Sequence, residues 1–362
     1  MKKRLLELPP NRVRRGYLGG RQLDRLQDAA HPTDGPQPED WIASTVEARN
    51  PGLPLIAQEG LATVRDAGGA AHVLRDLFAQ HPEHYLGHAH HAALGTELGF
   101  LAKLLDSSIR LHVQAHPTAT FAQKHLQSRW GKLETYVVLA IRPECPGYIL
   151  LGFQRPPPAP EWERIVLEQD LPAMHACFDR IPVQPGEVWR VPGGLPHAIG
   201  EGVLMLEVME PSDLVVRCEF EREGIVVPPE ARFMGRDPHF AMRIFEYTPM
   251  PVDAVRAACR IQPQAFACGE GFASAERLIG PAQTECFSIL RLAVHGTASL
   301  PSSGRILAGV VAKGSGSVRC EQERVELRPG AKFLLAAAAE RAIFEARPRD
   351  EMTVLLCTPG PA

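Results

Sequence analysis

The chain has 362 residues, with 45% hydrophobic side chains, 22% charged side chains and a formal charge of −3. That length supports two domains, each able to bury a core of its own. The near-neutral charge excludes the basic surface that usually meets nucleic acids and anionic membranes, and no apolar run is long enough to span a bilayer.

The N-terminal Met1-Lys2-Lys3-Arg4 begins like a secretory signal, but Glu7 and Pro9-Pro10-Asn11 cut off any apolar stretch, so no targeting segment is expected. The eight cysteines (145, 177, 218, 259, 268, 286, 320 and 357) are scattered and form no Cys-x-x-Cys. This spacing points to reduced thiols in the cytoplasm rather than a disulfide framework or zinc knuckle. Thirty-three prolines and 31 glycines at short intervals suit many short strands joined by turns.

Helical periodicity appears at residues 70–80, with Val73, Leu74, Leu77 and Phe78 at helical spacing. The tract His81, His84, His88, His90 and His91 follows. It has no companion cysteines and sits in a polar stretch before Gly95, so a surface loop is expected there rather than a second metal site.

The segment Arg110-Leu111-His112-Val113-Gln114-Ala115-His116-Pro117 alternates strictly. As a strand it would set His112, Gln114 and His116 on one face. Burying two imidazoles and an amide together needs partners, and a metal would supply one. An exposed polar face is the plainer account of the same pattern. A helix is expected over residues 118–130, and then Gly131-Lys132-Leu133-Glu134-Thr135-Tyr136 begins a strand with Lys132 and Glu134 on a shared face. A carboxylate there could ligate a metal, and a lysine beside it could hold charge or move a proton. Solvated strand charges are the alternative.

An apolar stripe from Trp162 to Phe178 predicts a third helix, and strands follow from residue 181. Within them stands Gly186-Glu187-Val188-Trp189-Arg190-Val191-Pro192-Gly193-Gly194-Leu195-Pro196-His197. The spacing Gly-x5-Pro-x-Gly-x2-His resembles the second signature of the cupin family. Glycine permits the tight turn, proline ends the strand, and the next turn aims His197 back inward. The proline-rich residues 230–251 are expected to connect two domains, 1–245 and 246–362. Further strands are expected at 287–294, 305–311, 317–320, 325–327, 332–335 and 352–356, with a hairpin turn at Gly314-Ser315-Gly316. At the offsets of Gly186, Pro192, Gly194 and His197, the second half carries Gly330, Ala336, Ala338 and Arg341. The fold expected is therefore all-β with a few helices, as two cupin (jelly-roll) β-barrels. The first would bind metal; the second would be degenerate, because a fixed cation cannot replace a neutral imidazole.

These elements, in this order, resemble type I mannose-6-phosphate isomerase in its shorter bacterial form, over about residues 12–220 and only loosely beyond. The resemblance implies a zinc site at Gln114, His116, Glu134 and His197, with one Zn²⁺ per chain and other divalent metals as alternatives. Phe100-Leu101-Ala102-Lys103-Leu104-Leu105-Asp106 places a substrate-binding lysine on Lys103. Leu206-Glu207-Val208-Met209-Glu210-Pro211-Ser212-Asp213-Leu214-Val215-Val216-Arg217 places a catalytic arginine on Arg217 and an acid on Asp213. Tyr17-Leu18-Gly19-Gly20 and Glu39-Asp40-Trp41-Ile42-Ala43-Ser44 are similar to the family's opening motifs. The reaction implied is the interconversion of mannose 6-phosphate and fructose 6-phosphate through an enediol. Arg217 would steady the enediolate, and Lys132, Asp213 or a metal-activated water would act as base. His112 replaces a usual serine, Ile199 an aromatic residue, and Thr118-Ala119 an acidic pair. His112 could then approach the metal, touch the phosphate or reshape the pocket for another sugar phosphate. A sugar-phosphate-binding regulator without turnover is the competing reading. A cupin dioxygenase fits less well, since its usual His-x-His is here Gln-x-His.

Overall fold

Alternation along the strands sets the layers of the first barrel. In the computed structural model, which describes residues 2–360, the strand Val203–Met209 is buried along its whole length. Leu204, Leu206 and Val208 point into a core shared with the C-terminal half, whereas Val203 and Met205 point into the barrel. Period-two geometry puts the charged Glu207 on the barrel side with them. This strand is central in a seven-stranded antiparallel sheet. The order is Arg260–Ile261, Val188–Val191, Glu134–Ile141, Val203–Met209, Leu101–Asp106, Glu39–Ile42 and Arg12–Val13.

A five-stranded sheet faces it, in the order Ile181–Pro182, Tyr148–Leu151, His197–Ile199, Gln114–Ala115 and Val216–Arg217. Ile149, Leu151 and Ile199 meet Tyr136, Val138 and Val191 inside. The alternate residues Tyr148, Leu150, Ala198 and Val216 face outward, where Trp162, Ile165, Val166 and Met174 cover them. Those four belong to two helices, Ala159–Glu168 and Leu171–Ala176, in place of the single helix expected over 162–178. Gln169 adopts a left-handed backbone (φ 54°), and the Asp170 carboxylate restarts the helix by accepting from Ala173 N at 3.2 Å. The other expected helices are also shorter, at Leu74–Gln80 and Ala119–His125.

The second barrel contains every expected C-terminal strand and adds Glu270–Ile279 and Arg341–Ala346. The long strand Phe287–Pro301 pairs first with Met352–Pro359 and then with Arg341–Ala346, so it crosses from one layer to the other. Gly314-Ser315-Gly316 is not the expected hairpin. Its flanking strands, Leu307–Lys313 and Gly316–Cys320, pair with different neighbours, and the segment carries the chain between layers. Gly186 and Gly330 are both left-handed (φ 91° and 80°) and each precedes a strand, a turn and a second strand. The second strand brings the buried His197 in one barrel and the exposed Arg341 in the other.

The sheets exchange strands across the expected division at residue 245. Leu5–Leu8 pairs with Lys332–Leu335 in the second barrel, and Arg260–Ile261 pairs with Val188–Val191 in the first. The chain ends of the two expected domains, Met1, Pro361 and Ala362, lie outside the described residues, as does the start of the stretch weighed as a targeting signal. The histidine tract is helical rather than a loop, forming Pro82–Tyr85 and His88–Leu94. His84 binds Lys3 O, His90 binds Glu97 O, and the backbone of Ala337 and Ala338 docks on Tyr85 and His84. All eight cysteines are free thiols, and no described helix is long and apolar enough to cross a membrane.

The ladder around Gln114–Ala115 is shorter than the alternation of residues 110–117 predicts, because a buried carboxylate interrupts it. Glu219 accepts from Arg110 Nη1 and Nη2 (2.7 and 2.6 Å), Val113 N (2.7 Å) and His175 Nε2 (2.9 Å). Burial alone would raise this carboxyl; its hydrogen bonds to Arg110 and His175 outweigh that and hold it far below the carboxylate range. Glu219→Ala strands the Arg110 guanidinium and is expected to destabilise the protein by about 3–5 kcal/mol. Because the folded-state pKa is depressed, this stability is present above the unfolded pKa and is lost as pH falls. Urea titrations of wild type and variant at pH 7 and pH 4 measure both; a difference below ~1 kcal/mol at pH 7 would contradict the argument.

Candidate metal centre

Strand register places the candidate ligands in adjoining rows. Gln114 stands opposite His197 on one neighbouring strand and opposite Arg217 on the other. Glu134 projects inward from the facing sheet, two residues before the inward Tyr136. His116 is brought in by the turn after Val188–Val191, where Gly194 N donates to His116 O at 2.7 Å. That turn requires its glycines. Gly194 is left-handed (φ 91°), and a Cβ on Gly193 would sit 2.6 Å from Pro117 O.

Among the described residues, His116, Glu134 and His197 form the one group of three His, Cys, Asp or Glu side chains whose donor atoms all lie within 4.8 Å of one another. Each is about 1% exposed, so none of them is solvated by bulk water. Both rings hold their proton on Nδ1 and donate it to a backbone carbonyl, His116 to Leu214 O and His197 to Leu195 O, each at 2.9 Å. Each Nε2 therefore presents a lone pair. His116 Nε2 lies 3.0 Å from Glu134 Oε1 but is misaligned for a hydrogen bond, so this buried nitrogen has no hydrogen-bond partner. His197 Nε2 lies 3.5 Å from Glu134 Oε2.

Burial, reinforced by Lys132, pulls the His116 imidazole down to about 3, and burial lowers His197 too, so both rings are neutral. Burial would raise Glu134, but its cationic and imidazole neighbours hold it ionised. Two lone pairs and a carboxylate converging in a buried space repel each other unless a cation lies between them. The donor set of two imidazole nitrogens and a carboxylate oxygen fits a catalytic zinc-type site with an open position. Gln114 Nε2 is 3.5 Å from His197 Nε2; a half-turn of the amide would present Oε1 there as a further oxygen donor.

The ligand group borders a cleft enclosing roughly 940 Å³, including space open to solvent, whose walls bring together the other expected residues. Lys132 Nζ lies 3.5 Å from Glu134 Oε1. Arg217 is half-buried and donates from Nη1 to Ala231 O at 2.6 Å, and Asp213 is exposed at the rim. His112 lies apart from the three-ligand group; its Nε2 is 3.3 Å from Ile225 O, and burial lowers its pKa.

Lys103 is in the cleft but already paired, 3.2 Å from Glu207 and 3.4 Å from Glu39. Glu39 and Glu207 stand in the quoted motifs without an assigned role, and the structure makes them the centre of a buried network. Glu39 also accepts from Tyr17 OH (2.6 Å) and Trp41 Nε1 (2.7 Å), and lies 3.3 Å from Arg15 Nε. Burial works against the Glu39 carboxylate, yet Arg15 and Lys103 bring it down to about 2. Burial drives Glu207 up to about 8 despite Lys103. Tyr136, opposite Glu207, donates to Glu134 Oε2 at 2.6 Å and so fixes the carboxylate between the imidazoles.

A family model described as "Mannose-6-phosphate isomerase, cupin domain" matches residues 281–347. Over 279 residues the chain is 25% identical to the Bacillus subtilis (strain 168) protein named "Probable mannose-6-phosphate isomerase GmuF", covering 77% of this chain and 80% of that one. The chain is thus similar to mannose-6-phosphate isomerases in sequence. Its fold is that of solved mannose 6-phosphate isomerases. The Bacillus subtilis structure superposes with a TM-score of 0.68 at 20% identity over 98% of this chain and 99% of that one. A structure described as holo and zinc bound gives 0.73 at 16% identity over 99% and 100%. The match to residues 281–347 extends the family likeness into the second barrel, where the sequence motifs are loose.

Proposed function

We propose that the chain is a metal-dependent aldose–ketose isomerase that interconverts mannose 6-phosphate and fructose 6-phosphate. The observation carrying this reading is the convergence of His116 Nε2, His197 Nε2 and the Glu134 carboxylate, with no proton between the imidazoles and the acid, beside a cleft rich in cations. The zinc-bound family structure and the names of the relatives support it. Zn²⁺ would be held by these three residues and Gln114, and would act as a Lewis acid toward the sugar's carbonyl and neighbouring hydroxyl oxygens.

The reaction neither gains nor loses atoms. A proton leaves C2, one is placed on O1, one returns to C1, and O2 gives up its own. Lys132 Nζ and the Asp213 carboxylate both border the cleft and are the groups able to exchange the carbon-bound proton. Arg217 remains cationic and offers its free guanidinium nitrogens to charge developing on the enediolate oxygens. Tyr136 and the carbonyls of Leu214 and Leu195 orient the ligand side chains.

Metal-loaded protein incubated with mannose 6-phosphate is expected to form fructose 6-phosphate at a rate proportional to enzyme. Turnover of another aldose phosphate but not this one would retain the chemistry and overturn the specificity. The first residue implicated would be His112, whose ring occupies the cleft wall. Binding without turnover of any member of a sugar-phosphate panel would instead favour a regulator.

A further inference from the structure

The cations of the cleft are unequally committed. Lys103 is held between Glu39 and Glu207, Lys132 lies beside Glu134, and Arg15 is shared between Glu39 and Asn50. Arg217 spends one nitrogen on Ala231 O and stands in the row of the metal ligands through its pairing with Gln114. Arg49 differs from all of these. It lines the same cleft, is exposed, and has no ion pair or hydrogen bond to its side chain among the described residues.

Its backbone, by contrast, is anchored on both sides. Ala48 N donates to Glu59 O at 2.7 Å. Asn50 accepts from Arg15 Nη1 at 3.1 Å through Oδ1, and its Nδ2 reaches Glu59 Oε2 at 3.5 Å. Glu59 is itself clamped by Arg14 through Nε (3.1 Å) and the backbone N (2.9 Å). The next turn abuts the opposite wall, where a Cβ on Gly52 would lie 3.6 Å from Pro228 Cγ. A guanidinium with no internal partner is thus carried at the cleft mouth on a fixed stretch of chain. A ladder of contacts, Lys103–Glu39–Arg15–Asn50, runs from the barrel interior out to it.

An open-chain sugar phosphate has two chemically different ends. Its oxygens at C1 and C2 belong at the metal centre, and a phosphate monoester dianion lies at the far end of the carbon chain. We propose that Arg49 forms the anion subsite that receives this phosphate. The proposal rests on the isomerase reading for the identity of the anion. Lys103, the expected substrate-binding lysine, is less suited to this role because it is already held between Glu39 and Glu207. A planar guanidinium suits the task because it presents paired N–H groups to phosphate oxygens.

The test compares metal-loaded wild type with Arg49→Gln and Arg49→Lys. Inorganic phosphate is titrated calorimetrically, and kcat/KM is measured for mannose 6-phosphate and for free mannose. A charge-assisted hydrogen bond sets the expected scale at ~10–100-fold. Arg49→Gln should weaken phosphate binding by that factor, raise KM for mannose 6-phosphate more than it lowers kcat, and reduce the preference for the phosphorylated sugar similarly. Arg49→Lys should recover part of each. Phosphate affinity within twofold of wild type in Arg49→Gln, or an unchanged preference ratio, would overturn the proposal. Wild-type protein without isomerase activity would refute the isomerase reading instead, and the phosphate titration would still decide whether Arg49 forms an anion site.

Discussion

Replacing His197 by alanine is expected to empty the metal centre and abolish turnover together. His197 is one of two neutral rings whose Nε2 lone pairs face the Glu134 carboxylate, and its Nδ1 proton is tied to Leu195 O. No other described histidine, cysteine or acid lies within the ligand group to replace it. Loss of a group that merely supports a ligand typically costs 10–100-fold in metal affinity, so loss of the ligand itself should exceed ~10²-fold. Wild type dialysed against metal-free buffer should retain about one divalent ion per chain, and the variant almost none. The fold should persist, because alanine at the start of a short strand removes no core side chain. Equal metal content in the two proteins would dismiss this site. Nearly one ion per chain in a variant lacking all three of His116, Glu134 and His197 would place a metal elsewhere, the second barrel included.

How far the site could be read beforehand depended on whether a residue's placement was decided locally. His197 was legible because Gly186, Pro192 and Gly194 dictate turn geometry within a few residues, and Gly194 adopts the left-handed backbone that such a turn needs. Alternation put His116 and Glu134 on strand faces but left exposed polar residues an equal account, and only the family resemblance marked them as ligands. The buried network was not. Glu207 meets Lys103 only through the pairing of Val203–Met209 with Leu101–Asp106, and Arg15 meets Asn50 across 35 residues. A signal was nevertheless present: a lone Glu207 in an otherwise apolar strand, and Lys103 among the apolar residues of another, are expensive to bury unless they face each other.

Other expectations failed for related reasons. The composition of the histidine tract suggests a loop, yet Tyr85 is fully buried within it and its backbone accepts from Ala337 and Ala338, so tertiary packing makes it helical. The Gly314-Ser315-Gly316 turn has the residues of a hairpin, but which strands pair is decided by the layers and not by the turn. Strand exchange between the barrels had no local mark. Leu5–Leu8 reads as an ordinary apolar strand, and its partner lies more than 300 residues away. Its exchange also explains how the halves share one core, in which Leu6 and Leu8 meet Ile306 and Leu334 as well as Leu104 and Leu206.

Arg217→Ala is expected to leave the metal in place and slow isomerisation by ~10²–10³-fold, the usual consequence of removing one preorganised donor to developing charge. Arg217 is not among the converging ligand atoms, so metal content should match wild type. Its guanidinium is half-buried, oriented by Ala231 O, and set opposite Gln114 in the sheet, so it is fixed before substrate arrives. A group fixed in this way acts on the enediolate more than on the neutral carbonyl, so kcat should fall further than KM rises. Arg217→Lys keeps the charge but loses the planar fork, and should fall between wild type and alanine. This pattern differs from that expected of Arg49→Gln, in which KM changes more than kcat. The two variants therefore separate the reacting end of the substrate from its phosphate end. A regulator without turnover would lose only affinity when Arg217 is removed. Active wild type with an unchanged kcat in Arg217→Ala would remove Arg217 from the chemistry and leave the proton-exchange roles of Lys132 and Asp213 to be tested separately.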